Sequence, residues 1–290
     1  MDKNSARFFI AWLILVPVFA LNCTRDKNPF KSEDCSVMLY PTQVGNHWEY
    51  ERIFTYAELN SDPTAENPCV LGTKRGTVHM NIAKVETFDD SVVTYHFLET
   101  LIMDEGTYID DSYYINDTNG LYLYAYRNVG WAIPKRAPLS GILFDDRIFS
   151  DAREITRYLT KTYPATHSKS DSITFEDPPV LSLSYPYIKG KQWIYRSSQN
   201  PWRIDKKVLL PEVIEVPAGK FSCVKIQWLY DRDENGQWDS DIYFCDYLCE
   251  QGLVKRSILF KNLKLLGQDG EIICSTDNKD EFSLRRVEVM

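Results

Sequence analysis

Residues 77–85 read TVHMNIAKV, with Val78, Met80 and Ile82 set against the polar His79, Asn81 and Lys84. A period of two suits a pleated strand with one buried face and no helix. The pattern recurs along the chain. GLYLYAY, residues 120–126, sets Leu121, Leu123 and Ala125 against Tyr122, Tyr124 and Tyr126, and SVVTYHFLETLIM, residues 91–103, reads as a long strand apolar on both sides. Helical periodicity is nearly absent. Only DAREITRYL, Asp151 to Leu159, reads as a short helix with Asp151 as its N-cap. The expectation is an all-β protein of mostly antiparallel sheets, a sandwich or an open or half barrel, in one body or two lobes.

Asn119-Gly120, Asn235-Gly236 and Asp269-Gly270 each separate two strand-like runs. These dipeptides tolerate the positive φ that type I′ hairpin turns need. A two-residue turn at Asn235-Gly236 would set Val224, Ile226 and Trp228 opposite Tyr247, Cys245 and Tyr243. The stretch EVIEVPAGKFSCVKIQW, Glu212 to Trp228, alternates, turns at Pro217-Ala218-Gly219, and alternates again.

One phrase is written twice. YPTQVGNHWEY runs from Tyr40 to Tyr50, and YPYIKGKQWIY from Tyr185 to Tyr195, 145 residues later. The shared positions are Tyr40, Pro41, Gly45, Trp48 and Tyr50 in one copy, and Tyr185, Pro186, Gly190, Trp193 and Tyr195 in the other. Tyr-Pro enforces an extended entry. Glycine then permits a turn that other residues resist. Trp and Tyr two apart point to one face of the strand that follows. Each copy is expected to start a sheet with an aromatic pair in the core; the competing reading is an aromatic platform for a ligand. The regions implied are 38–180 and 181–290. Together with VPAG around Pro217 and Gly219 and GLVK from Gly252, the phrase resembles a group of uncharacterised β-rich bacterial lipoproteins. The resemblance covers Tyr185 to Lys255 best and implies a β-rich body and a lipid anchor, but no reaction.

The beginning of the chain points the same way. Lys3 and Arg7 precede a fourteen-residue apolar run, Phe8 to Leu21. A bilayer-spanning helix needs about 20 such residues, so the run reads as an export signal. Cys23 follows in ALNC, which resembles a lipobox but has Ala20 and Asn22 where the usual pattern has Leu and then Gly or Ala. The expectation is a signal peptide 1–22, a covalent lipid at Cys23 and a tether 23–37. The membrane is then a partner through the anchor, with the protein exported to a bacterial envelope, at the outer membrane or its periplasmic face. Loss of residues 1–22, which carry +1, takes the formal charge from −8 to −9. No basic stripe is present, which argues against nucleic acid.

Six further cysteines, 35, 69, 223, 245, 249 and 274, permit disulfides in an exported chain. Cys245 and Cys249 lie about 13 Å apart if they share a strand, too far to bond to each other.

Nucleophile elbows, phosphate loops and zinc-protease motifs are all lacking. Asp231, Asp233, Asn235 and Asp239 fall at calcium-loop spacing, but Ile242 stands where the bidentate glutamate belongs. They read as a solvated hairpin tip, and no cofactor beyond the lipid is expected. Asp89-Asp90, Asp110-Asp111 and Asp145-Asp146 read as acidic turns. The leading expectation is a non-enzymatic binding or structural module whose ligand is an envelope protein, glycan or lipid. The alternatives are a carrier of hydrophobic molecules in an open half barrel, and a glycan hydrolase using loop carboxylates.

Overall fold

Alternation makes strands, and the turns decide how they pair. The computed structural model describes residues 38–61, 72–127, 141–160, 173–197, 202–267 and 269–290. The expected signal peptide, Cys23 and the tether lie outside them. A first run comprises β1 (His47–Ser61), β2 (Thr73–Phe88), β3 (Val92–Met103), β4 (Gly106–Asn116) and β5 (Gly120–Arg127). After it come a small hairpin of β6 (Gly141–Phe144) and β7 (Arg147–Phe149), the helix α1 (Ala152–Thr160), and β8 (Ile173–Ser184). A second run comprises β9 (Gln192–Arg196), β10 (Arg203–Val208), β11 (Glu212–Val216), β12 (Gly219–Asp231), β13 (Ile242–Cys249), β14 (Gly252–Leu266) and β15 (Ile272–Glu288).

All the pairings are antiparallel. The strand order is β8-β5-β4-β3-β2-β1-β15-β14-β13-β12-β10-β9. Two six-stranded meanders are thus joined where β1 pairs with β15, His47 opposite Glu288 and Cys274 opposite Ser61. The free edges, β8 and β9, face each other across a seam held by side chains. Trp193 Nε1 donates to the Leu181 carbonyl at 3.1 Å, and Arg196 pairs with Glu176 at 2.6 Å. The sheet is a nearly closed barrel. The described residues form one compact unit, and β8 runs through residue 181.

Both copies of the repeated phrase enter the barrel by the same hydrogen bonds. Gly45 N–H donates to the Ile82 carbonyl at 2.9 Å, and Ile82 N–H returns to Asn46 at 3.0 Å. Gly190 and Val208 repeat this at 2.8 Å, with Val208 returning to Lys191 at 2.9 Å. The glycines sit at φ +95° and +84°, where a side chain would be strained. Trp48, Tyr50, Trp193 and Tyr195 are all buried. Trp48 Nε1 donates to the Gln251 carbonyl at 2.6 Å, in the turn before Gly252.

Several turns differ from expectation. Val224, Ile226 and Trp228 face Leu248, Asp246 and Phe244, one residue from the register that a two-residue turn at Asn235-Gly236 would set. Asp231 instead accepts from Asn235 N–H and Gly236 N–H, both at 3.0 Å, and so organises a longer loop. Asp145-Asp146 makes the tight two-residue turn, at φ 52° and 56°. Asp110-Asp111 is not in a turn but inside β4. The PAG turn forms as expected, with Val216 opposite Gly219.

The core has two parts. One gathers Tyr40, Trp48, Phe97, Val208 and Leu284 at the end where the chain enters. The other gathers Phe144, Ile155, Leu159, Trp202 and Phe260 around α1. Asp151 accepts from Arg153 N–H and Glu154 N–H and caps the helix. Among the described residues no helix is long and apolar enough to cross a membrane.

Candidate functional site

Between the two clusters the barrel is hollow. A cavity of about 230 Å³ is walled by strands from both meanders and by one stripe of α1, Arg153, Thr156, Arg157 and Thr160. That spacing is one face of a helix. Aromatic and aliphatic side chains such as Tyr114, Leu123 and Phe282 supply much of the wall.

The rest of the wall is charged, and its logic is visible strand by strand. Arg52 stands between Tyr50 and Phe54, Lys206 between Ile204 and Val208, Asp246 between Phe244 and Leu248, and Arg256 between Val254 and Ile258. Each occupies an inward position that alternation assigns to an apolar residue. Charges buried this way need partners. Arg52 pairs with Asp280 at 2.7 and 3.0 Å and lies over the Phe282 ring. Arg256 Nε lies 2.6 Å from Asp246, which also accepts from Trp228 Nε1 at 2.9 Å. Arg157 reaches Asp110 at 3.4 Å, and Arg153 pairs with Asp151 while lying over Tyr108.

Lys206 differs. Its ammonium is buried and donates to the Ser182 carbonyl at 2.9 Å across the seam. It sits 3.5 Å over Trp228 and 4.2 Å from the centre of Tyr195. Among the described residues no carboxylate comes within ion-pairing distance of it. Burial pushes its pKa well down, and the charge of Asp246 offsets only part of that. Burial likewise raises the phenols of Tyr50 and Tyr114, which stay neutral across physiological pH.

The residues singled out in the sequence divide in two. Tyr50 and Tyr195 line the cavity, as does Tyr40. Gly45, Gly190, Pro217 and Gly219 sit in or beside entry loops and turns, and Trp48 and Trp193 are buried near the starts of β1 and β9. Asp231 and Asn235 spend their oxygens on backbone N–H groups, and Asp239 pairs with Arg232 at 2.6 Å. Among the described residues no three acidic, histidine or cysteine side chains gather as a metal site. His96 and Asp111 pair at 2.5 Å beside Tyr113, and neither lines the cavity. Cys245 and Cys249 are free and buried. Lys206, Asp246 and Arg256 were missed, although charge at an inward strand position was a readable signal.

No family model matches the chain, and no curated protein matches it by sequence. Two crystal structures align along most of its length. One is a protein assigned as exported, with a YmcC-like fold, from Bacteroides fragilis, at TM-score 0.34 and 11% identity over 87% of this chain and 99% of that one. The other is a protein assigned as a lipoprotein from Parabacteroides distasonis, at TM-score 0.32 and 12% identity over 88% and 100%. Likenesses of this strength carry nothing about function.

Proposed function

We propose that this protein is an exported, membrane-tethered binding module whose barrel lumen takes a small amphiphile bearing one anionic group. The observation that supports this best is Lys206, a buried ammonium on the cavity wall with a carbonyl and two aromatic faces around it and, among the described residues, no carboxylate in ion-pairing range. A carboxylate, sulfonate or phosphate entering the lumen would complete its coordination, and the aromatic wall would take the apolar body. A buried charge left without a counter-ion costs stability, which a purely structural module would have no reason to keep.

The size of the cavity favours a small ligand over a bulky lipid. Ligand pockets for drug-sized molecules run from about 300 to 1,000 Å³, and this cavity is smaller. The hydrolase reading also weakens, because two of the three carboxylates that the described residues place on the cavity wall, Asp246 and Asp110, are engaged by Arg256 and Arg157, the third being Glu99, while Asp89-Asp90 and Asp145-Asp146 shape turns outside the lumen.

The test uses two small naphthalene dyes of similar shape, naphthalene-2-sulfonate and the uncharged 2-methylnaphthalene. Wild type should bind both, and Lys206→Met should weaken the sulfonate about tenfold, worth ~1.4 kcal/mol, while leaving the uncharged dye unchanged. Binding of neither dye would reject the lumen as a site. Equal loss of both would reject the role of Lys206. The anchor is tested separately: the mature chain should begin at an acylated Cys23, and Cys23→Ala should release it from membranes.

A further inference from the structure

The β12–β13 register brings two free cysteines together. Val224 faces Leu248 at the end of the ladder, and one further step in the same register would set Cys223 opposite Cys249. Both thiols are free and buried in the same cluster, at 0% and 8% exposure. Directly opposed residues of an antiparallel pair have Cα atoms about 4.5–5.5 Å apart. Disulfides span about 4.4–6.8 Å. Cys245, four residues back along β13, also points into the packed interior, but it lies opposite Gln227. Cys274 is already disulfide-bonded.

We propose that Cys223 and Cys249 form a second disulfide when the chain is exported, stapling the end of β12 to the end of β13. Electrostatics place the thiols near each other, since the charge of Cys249 would raise Cys223. The larger effect on Cys223 is burial, which takes its thiol up to about 12. A thiol held that high scarcely supplies thiolate, so the bond forms before the hairpin is packed. The oxidant is the disulfide of a small thiol or of a dithiol protein. One thiolate attacks it and releases one thiol, and the second attacks the mixed disulfide and releases the other. Two electrons and two protons pass to the oxidant. The staple fixes the turn at Glu250-Gln251, whose Gln251 carbonyl receives the Trp48 indole.

Mass mapping tests this on the full chain, refolded with oxidised glutathione until Cys274 is protected, then alkylated in denaturant without reductant. A linked peptide containing Cys223 and Cys249, with Cys245 alkylated, is the expected result. Alkylation of both, or linkage of either to another cysteine, overturns the proposal. Cys223→Ser should expose Cys249 to alkylation, and Cys245→Ser should leave the linked peptide intact; the opposite pattern would also overturn it.

Discussion

The hydroxyl of Tyr185 accepts a hydrogen bond from the backbone N–H of Tyr40 at 2.9 Å. The first residue of one repeated phrase thus holds the first residue of the other. Tyr185 donates in turn to Asn116 Oδ1 at 3.1 Å, and Asn116 Nδ2 returns to the Tyr40 carbonyl at 3.0 Å. This ring ties the segment before β1 to the end of β4 and to the connection from β8 to β9, where the chain enters. Tyr185→Phe removes its centre and leaves a buried N–H unpaired, at about 1–3 kcal/mol. Urea unfolding should show the loss, and an unchanged midpoint would mean that water replaces the hydroxyl.

Trp48→Ala and Trp193→Ala each empty a large site and free a carbonyl in the opposite meander. Each should cost ~3–5 kcal/mol. Variants that melt like wild type would return these side chains to the ligand-platform reading.

Gly252 lies at φ +100°, and a methyl group there would sit 3.0 Å from Trp48 Nε1. Gly252→Ala therefore combines backbone strain of about 1–3 kcal/mol with a clash. Gly236 lies at φ +77° with open space around it, so Gly236→Ala carries the strain alone. Calorimetry should rank Gly252→Ala clearly below Gly236→Ala; the reverse order would contradict the packing.

Lys206 makes a pH prediction. Its folded pKa is depressed by burial, so the unfolded chain binds more protons between that value and about 10.4. Stability from this group therefore rises with pH across that window and is lowest below it. Lys206→Met removes this dependence. The stability of the variant relative to wild type should shrink as pH rises from 7 to 9.5, a range below tyrosine titration. A difference that stays constant would show that the ammonium carries no such penalty.

Calcium at millimolar concentration should leave the melting temperature unchanged, because Asp231 is turned to the loop backbone and Arg232 occupies Asp239 and Asp241. A rise of several degrees that Asp233→Ala abolishes would reverse this assignment.

Period-two alternation, the PAG turn, the Asp151 cap and the shared use of Gly45 and Gly190 are local. Each is set by a side chain or φ angle within a few residues, so the amino-acid order alone determined them. Register at the β12–β13 loop was local too, but two local preferences competed there: the Asp231 carboxylate accepts from Asn235 N–H and Gly236 N–H four and five residues on, and the longer loop it organises prevails over the two-residue turn that Asn-Gly favours. The meeting of Tyr40 with Tyr185, the seam of β8 and β9, and the hollow lumen were decided only by tertiary structure, because each joins strands far apart in sequence. The same holds for the pairs across the lumen. Alternation along β1 and β10 carried a signal that Arg52 and Lys206 point inward, although it went unread, and only the closed barrel set Asp280 beside the first and left the second, among the described residues, without a carboxylate in ion-pairing range.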